Sequence, residues 1–185
     1  MINIRKYEPK DKENLVKVLY ETSSLPIETE AQRKFLELMF NDYYTETEPD
    51  CCFVAANEDD EAVGYIICAR DFDTYAKNFK NFYLPEIKEL GFGFYTMALG
   101  EIFIHKLISK KYPAHLHIDI LDVCQGQGVG TRLVSALSEY LGSTGTHGLM
   151  LSCGMKNTKA VKFYKKNNFK IIMNFMGNCL MGKEV

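Results

Sequence analysis

One stretch of this chain constrains its fold more than any other, because a strand, a glycine-rich loop and a helix follow each other without a gap. The run AHLHIDIL (114–121) alternates polar and apolar residues, which predicts a half-buried strand. It leads into the loop DVCQGQGVG (122–130) and the amphipathic helix TRLVSALSEYL (131–141). Glycines at such a junction let the backbone approach a ligand, and the helix start offers free N–H groups to an anion. The junction is therefore a candidate phosphate site.

Two familiar phosphate-binding loops do not match this junction. A P-loop requires Gly-Lys-Ser or Gly-Lys-Thr, and the chain contains neither. The dinucleotide fingerprint requires a third glycine at position 131, where Thr131 stands, and no ribose-binding acid follows in a βαβ unit. A tight turn from strand to helix also requires glycine. The loop alone therefore leaves two interpretations open, a phosphate site and a plain turn.

The first third of the chain predicts a strand, two helices and a hairpin. Residues 2–7 have the composition of a strand, and Asp11 is placed to cap a helix that follows it. A second helix is predicted over about 28–41. The runs 51–57 and 62–69 are rich in β-branched and aromatic residues and flank an acidic turn, which is typical of a hairpin.

The remainder alternates between helices and strands. Residues 71–113 are helical and aromatic in pattern, and their last part predicts a helix over 97–111 that Pro113 stops. A short buried strand is predicted at 148–153 and a helix at 157–168. The C-terminal residues form a closing antiparallel pair.

Composition limits the classes of protein that fit. The 185 residues predict one domain over 1–185, with 22 Lys and Arg against 24 Asp and Glu, a formal charge of −2. This balance speaks against a nucleic-acid partner. No window reaches the roughly eighteen apolar residues of a membrane helix and the N-terminus has no signal-peptide pattern, so no membrane role and a cytoplasmic location are expected. The six cysteines lack CxxC spacing, and reduced thiols are expected.

A wider pattern surrounds the glycine loop. Gln125-Gly126-Gln127-Gly128-Val129-Gly130 is followed, after a strand, by Asn157, Ala160, Phe163-Tyr164 and Asn168-Phe169. This spacing resembles the GNAT family of N-acetyltransferases over about residues 114–170. The run from 113 to 130 is further similar to bacterial acetyltransferases that resemble the C-terminal domain of O-GlcNAc-hydrolysing enzymes, a likeness of fold that says little about substrate.

The resemblance implies a fold of the α/β (α+β) class. A single GNAT-like domain would have a central mixed, mostly antiparallel sheet, splayed between the strands 114–121 and 148–153, with helices on both faces. The segment 71–113 would help to shape the acceptor site. Asn168 stands where the family often has glycine, and asparagine tolerates the left-handed conformation expected there. Asp122, near the expected phosphates, is a less favourable departure.

The resemblance also implies that acetyl-coenzyme A binds in the splay as co-substrate. The pyrophosphate would lie on the loop N–H groups, the Thr131 hydroxyl would add a hydrogen bond, and the backbone of Ile120 and Leu121 would pair with the pantetheine arm. Asn157 would hold the arm from the other side. The residues expected to contact the cofactor are Ile120, Leu121, Gln125, Gly126, Gln127, Gly128, Val129, Gly130, Thr131, Asn157, Ala160, Phe163 and Tyr164.

The chemistry requires an acid for the departing thiolate and a base for the attacking amine. Tyr164 occupies the family's usual acid position, although helix period alone would make it a core aromatic residue. Asp119 and His117 are candidates for the base, since they alternate on one strand with His115 and point to one face. A hydrogen-bonded structural pair of a histidine and the aspartate is an equally supported interpretation of that face.

Other classes of function fit parts of the sequence. His115, His117 and Asp119 could converge on a metal in a hydrolase, with His105 or His147 completing the site, but this would leave the glycine loop without a role. No metal is therefore expected. A catalytically silent acyl-CoA sensor fits the loop equally well. For an enzyme we expect a small-molecule acceptor, direct transfer rather than a ping-pong route through Cys124, and a monomer or homodimer.

Overall fold

The computed structural model describes residues 2–185, in which helices and strands alternate around one sheet. The strands are β1 (Asn3–Lys6), β2 (Phe53–Ala56), β3 (Ala62–Ala69), β4 (Ala114–Ile120), β5 (Gly148–Gly154), β6 (Lys170–Phe175) and β7 (Asn178–Glu184). The helices are α1 (Lys12–Thr22), α2 (Glu30–Glu37), α3 (Tyr43–Thr47), α4 (Phe72–Phe82), α5 (Leu84–Leu90), α6 (Phe92–Lys106), α7 (Val129–Ser143) and α8 (Thr158–Lys166). None of the helices in the described part is long and apolar enough to cross a membrane.

The sheet has seven strands in the order β1-β2-β3-β4-β5-β7-β6. All neighbouring strands are antiparallel except β4 and β5, which are parallel. The expected mixed, mostly antiparallel sheet is confirmed. The hairpin of β2 and β3 and the closing pair of β6 and β7 lie where the alternation predicts them.

The parallel pair β4–β5 is held together at one end only. Ala114 pairs with Leu149 and His115 with Met150, and no pairing follows beyond these positions. The strands continue to Ile120 and Gly154, so their C-terminal halves diverge. This divergence is the predicted splay, and it leaves a cleft between the strands.

Two hydrophobic cores cover the two faces of the sheet. One core packs the helices from α1 to α6 against side chains such as Tyr65 and Ile67 of β3. The other packs α7 and α8 against the opposite face, through side chains such as Ile66 and Leu116. Helices therefore lie on both faces, as the sequence predicts.

The second predicted helix is not continuous. α2 begins at the N-cap Thr29, which forms a capping box with Gln32, but the backbone widens into a π turn over Leu38–Asp42 before α3 starts. A π turn adds a residue to the helical register. The residues after it are rotated, and both Tyr43 and Tyr44 are fully buried. The sequence prediction of a helix over about 28–41 is confirmed in its position, but the π turn in its last part was not predicted.

The predicted helix over 97–111 lies earlier in the chain. α6 already starts at Phe92, after Gly91 at φ +139°, and it ends at Lys106. The following residues form a tight turn in which the N–H groups of Lys111 and Tyr112 both donate to the carbonyl of Ile108. The turn ends the helix several residues before Pro113.

Asp11 does not cap α1 with its side chain. Its carboxylate is 1% exposed and points back to accept two hydrogen bonds from the Arg5 guanidinium, at 2.7 and 2.8 Å, and one from the Glu8 N–H at 2.8 Å. A bidentate pair with a buried carboxylate is stronger than a cap at an exposed helix end. The predicted helix is present, but Asp11 ties its start to β1 rather than capping it.

This pair generates a prediction about stability. Asp11→Asn should lower the free energy of unfolding by about 2–4 kcal/mol, because it removes one partner of a mostly buried ion pair. Asp60→Asn is the matched control, since Asp60 contacts the same Arg5 from the surface, where its side chain is 52% exposed. This control should lower the free energy of unfolding by less than about 1 kcal/mol. Urea unfolding measures both, and equal losses would contradict the assignment.

Candidate active site

The divergence of β4 and β5 opens a cleft of about 700 Å³. Its walls come from β4, the loop after it, the start of α7, the end of β5, and α8, with the end of α1 at one edge. All the predicted cofactor contacts except Leu121 and Gln127 line this cleft. The lining residues are Glu21, Thr22, Ile118, Asp119, Ile120, Asp122, Cys124, Gln125, Gly126, Gly128, Val129, Gly130, Thr131, Cys153, Asn157, Lys159, Ala160, Phe163, Tyr164 and Lys166.

The glycine loop has the geometry of an anion site. Gly126 and Gly128 have φ values of +76° and +75°, which side chains rarely tolerate. Gly128 is also the N-cap of α7 and provides no side chain to accept from the first turn. The first N–H groups of a helix have no partner within it. Those of α7 are therefore available to a negatively charged ligand in the cleft.

The two loop glutamines use their side chains to hold the loop itself. The Gln125 side-chain amide donates to the Ile120 carbonyl at 3.2 Å and to the Asp122 carboxylate at 2.8 Å. The Gln127 amide donates to the Val123 carbonyl at 3.0 Å. The Asp122 carboxylate is thus partnered inside the loop, which moderates its unfavourable position near an anion.

Gly130 has a packing role in addition to its place in the loop. A Cβ at this position would lie 2.9 Å from the Phe163 ring and 3.1 Å from the Ile120 side chain. No real Cβ tolerates the shorter distance, so glycine lets the first turn of α7 contact α8 directly. A substitution at Gly130 would therefore disturb α8 as well as the loop.

The β4 backbone requires a correction to the predicted contacts. The Leu121 N–H donates to the Val63 carbonyl at 3.1 Å, so this group faces β3 and not the cleft. Backbone groups alternate in direction along a strand pair. The groups of Ile118 and Ile120 therefore face the cleft, and Ile118 was missed because the sequence does not show where β4 and β5 separate.

α8 forms the far wall of the cleft. Asn157 caps the helix, since its side-chain oxygen accepts from the Ala160 N–H at 3.0 Å. Lys159 and Lys166 also line the cleft. They place positive charge in the wall of the cleft, and sequence spacing alone did not single them out. Asn168, just after α8, has φ +67°, so the predicted left-handed conformation is confirmed.

Tyr164 reaches the cleft from α8 and is half-buried between the Phe163 and Phe169 rings. Burial raises the pKa of its hydroxyl well above the ordinary value, and the nearby charges of Asp119 and Cys153 raise it further. The hydroxyl therefore stays protonated at neutral pH. A neutral phenol at this position can donate a proton.

Asp119 lines the cleft from β4 and is half-buried beside the end of α1. The Tyr65 hydroxyl donates to its carboxylate at 2.7 Å. Burial raises the pKa of Asp119, while hydrogen bonds from Tyr65 and Thr22 act in the opposite direction. The result is a carboxylate with a pKa above the ordinary value that faces the same space as Tyr164.

His117 is not among the residues that line the cleft. The Tyr44 hydroxyl lies between two ring nitrogens, 2.9 Å from His115 Nε2 and 3.1 Å from His117 Nε2. Burial lowers the pKa of His115 far below its ordinary value and that of His117 to about 3, so both rings are neutral. The three predicted residues share one face, but both histidines are hydrogen-bonded to the Tyr44 hydroxyl and only Asp119 faces the cleft.

His105 lies beside this pair, with its ring centroid 5.3 Å from that of His115. Its Nδ1 bonds to the Glu101 carbonyl oxygen at 3.0 Å, so this nitrogen carries the proton. Across residues 2–185, no three His, Cys, Asp or Glu side chains are grouped so that they could hold a metal ion. The arrangement gives the metal-hydrolase interpretation no support.

Comparison with solved structures finds the same fold in several proteins. A structure named SsHAT has a TM-score of 0.88 at 22% identity and covers 99% of this chain and 98% of its own. Agmatine N-acetyltransferase in an apo form has a TM-score of 0.70 at 13% identity, covering 100% and 99%. PaiA N-acetyltransferase from Thermoplasma acidophilum, solved in complex with coenzyme A, has a TM-score of 0.62 at 16% identity. The match covers 100% of this chain and 99% of that one.

The sequence itself gives the stronger assignment. Residues 15–169 match the acetyltransferase (GNAT) family, a range that includes α1, the glycine loop and α8. Members of this family use acetyl-CoA, and the cleft with its glycine loop fits such a ligand. The chain belongs to the GNAT family of acetyltransferases.

Proposed function

We propose that this protein transfers the acetyl group of acetyl-CoA to the amine of a small-molecule acceptor, by direct attack in a ternary complex. One observation carries the proposal: Asp119 and Tyr164 line one cleft from opposite walls, next to a loop built for an anion. A base and an acid are the two groups that this reaction requires. The named acceptor of the agmatine N-acetyltransferase supports a small molecule here as well.

In the proposed complex the CoA pyrophosphate lies on the first N–H groups of α7. Gly128 leaves these groups uncovered, and Thr131 lines the cleft close to them. Lys159 and Lys166 add positive charge on the α8 side. The pantetheine arm follows the cleft-facing backbone groups of Ile118 and Ile120, and its thioester lies toward Tyr164. The Ile120 carbonyl also accepts from the Gln125 side chain.

The acceptor enters from the side of α1. Glu21 and Thr22 line this edge of the cleft, and Asp119 lies beside them. The Asp119 carboxylate takes a proton from the attacking amine, directly or through a water molecule. The amine nitrogen forms the new bond to the acetyl carbon, the carbon–sulfur bond breaks, and the Tyr164 hydroxyl donates its proton to the thiolate. His117 supports the strand behind Asp119 through its contact with Tyr44.

The first prediction for this function compares two variants at one loop position. Gly128→Asn and Gly128→Asp have nearly equal volume, both residues tolerate a positive φ, and no atom lies within 4 Å of an added Cβ. The Asp variant should bind CoA about tenfold or more weakly than the Asn variant, because its charge repels the pyrophosphate. Thermal melts at increasing CoA concentration measure this affinity. A ligand at a concentration of about 100 times its Kd raises the free energy of unfolding by about 2.7 kcal/mol. Equal affinities would contradict the loop assignment.

The second prediction concerns the acid. Tyr164→Phe should lower kcat by about 10²-fold and leave the Kd for CoA nearly unchanged, as expected when a proton donor is lost and binding is kept. Tyr140→Phe is the matched control. Tyr140 is a half-buried tyrosine of α7 that packs against Phe53 of β2 and does not line the cleft. It should keep wild-type kcat. An unchanged kcat in Tyr164→Phe would overturn the assignment.

The third prediction concerns the base and its pKa. Activity should fall as the pH falls through the pKa of Asp119, because only the carboxylate accepts a proton. Tyr65→Phe removes a hydrogen bond that favours the charged form, so it should raise this pKa and move the acidic limb of kcat/KM to higher pH, by up to about one unit. The same acceptor serves both proteins, so its own ionisation cancels. An unmoved limb would exclude Asp119 as the base.

Direct transfer also makes a distinctive kinetic pattern. Initial velocities at varied acetyl-CoA and acceptor should give intersecting lines, whereas an acetyl-enzyme at Cys124 or Cys153 would give parallel lines. If none of a panel of amines were acetylated although CoA still bound, the protein would be an acyl-CoA sensor and not an enzyme.

A further inference from the structure

Two cysteines lie directly opposite each other on neighbouring strands at the end of the cleft. Cys153 of β5 pairs with Cys179 of β7 in the antiparallel register. Two residues further on, the Met155 N–H donates to the Gly177 carbonyl at 2.9 Å, which marks a hydrogen-bonded pair of the ladder. Since such pairs recur at every second residue, Cys153 and Cys179 form another one, with an expected Cα separation of about 5.5 Å. This value lies within the Cα separation of about 4.4–6.8 Å that disulfides have. Side chains of hydrogen-bonded pairs lie further apart than those of the other pairs, so the two strands must twist locally to bring the Cβ atoms to the required separation of about 3.5–4.5 Å.

The two side chains point to the same face of the sheet and differ in their access to the cleft. Both contact the core under α7 and α8. Cys153 is half-buried and lines the cleft, whereas Cys179 is 2% exposed behind it. A ligand in the cleft can therefore reach the sulfur of Cys153 first, and Cys179 can reach only Cys153.

Cys153 lies near the place where the CoA sulfur is expected. It lines the same cleft as Tyr164, the proposed donor to the departing thiolate. In the described chain no other cysteine combines these features: Cys124 lines the cleft but has no cysteine across a strand from it, and Cys51, Cys52 and Cys68 are fully buried.

We propose that Cys153 and Cys179 form a dithiol that a CoA disulfide, bound in the cleft, oxidises to a disulfide between β5 and β7. The inference rests on the proposed binding of CoA in this cleft. It assigns a modification site and its oxidant, neither of which is needed for acetyl transfer.

The chemistry proceeds in two exchanges. The Cys153 thiolate attacks one sulfur of the CoA disulfide, whose sulfur–sulfur bond breaks, and one CoA thiolate leaves and takes up a proton. The Cys179 thiolate then attacks the Cys153 sulfur of the mixed disulfide and releases the second CoA thiol. Two protein thiols are oxidised, and one CoA disulfide is reduced to two CoA molecules.

The environment makes this reaction slow rather than impossible. Burial raises the pKa of Cys153 to about 11, so only a small fraction is thiolate at neutral pH. The rate of thiol–disulfide exchange depends on the thiolate fraction, and such reactions ordinarily take up to hours. Binding of the oxidant in the cleft compensates by raising its local concentration.

The test treats the fully reduced protein with CoA disulfide, or with an equal concentration of glutathione disulfide, without oxygen. Intact mass and peptide mapping should show loss of two hydrogens and a Cys153–Cys179 link. This product should form about tenfold or more faster with CoA disulfide. A link between other cysteines, no link, or equal rates with both oxidants would overturn the inference.

Variants separate the two steps. Cys179→Ser should stop at a mixed disulfide and gain the mass of one CoA less two hydrogens, and dithiothreitol should remove it. Cys153→Ser should give neither product. Cys124→Ser is the control and should still form the link. A CoA adduct on Cys153→Ser would contradict the proposal.

A second measurement distinguishes this inference from the proposed function. Thermal melts of the reduced protein with CoA report binding in the cleft independently of oxidation. If CoA raises the melting temperature but no Cys153–Cys179 disulfide forms, the dithiol proposal alone is overturned. No link together with no shift overturns it and also removes the CoA site on which acetyl transfer depends.

Discussion

The separation of β4 from β5 is the constraint on which the rest of this structure depends. Parallel strands normally continue side by side, and each unpaired backbone group in a buried sheet costs free energy. Here pairing stops after His115 and Met150, and the strands then part around open space. The cleft-facing groups of Ile118 and Ile120 need no partner strand, because the Gln125 side chain donates to the Ile120 carbonyl and the gap is open to solvent and to an extended ligand. The cleft is thus built into the sheet and needs no separate lid or domain.

Much of this architecture is readable from sequence because its signals are local. The alternation of AHLHIDIL, the loop glycines and the helical period after Val129 identify the strand, turn and helix without tertiary information. The chain order of β2 and β3 and of β6 and β7 follows from short hairpins. The positive φ of Asn168 was expected from the family resemblance, since the family often has glycine at this position and asparagine tolerates that conformation.

The errors come from features that depend on other parts of the chain. The π turn after α2 has no strong sequence signal, and its result is the placement of Tyr44 between two histidines of β4. Asp11 has a good capping sequence, but Arg5 of the neighbouring strand offers stronger bonds. Leu121 was assigned to the cleft because the direction of its N–H depends on the register with β3. The cases of Tyr44 and Leu121 need contacts that are long-range in sequence, whereas Arg5 lies six residues from Asp11 and competes with the cap from the preceding strand.

The contact between Gly130 and Phe163 has a mechanical consequence. With no side chain at position 130, the first turn of α7 lies directly against the Phe163 ring of α8, the helix that carries Tyr164. The distance from the anion-binding end of α7 to the phenolic hydroxyl is therefore set in part by van der Waals contact between these two helices. In the proposed complex this contact determines how long the arm of the donor must be to reach from the start of α7 to Tyr164. A donor with an arm of another length would hold its acyl carbon away from the proton that the reaction needs.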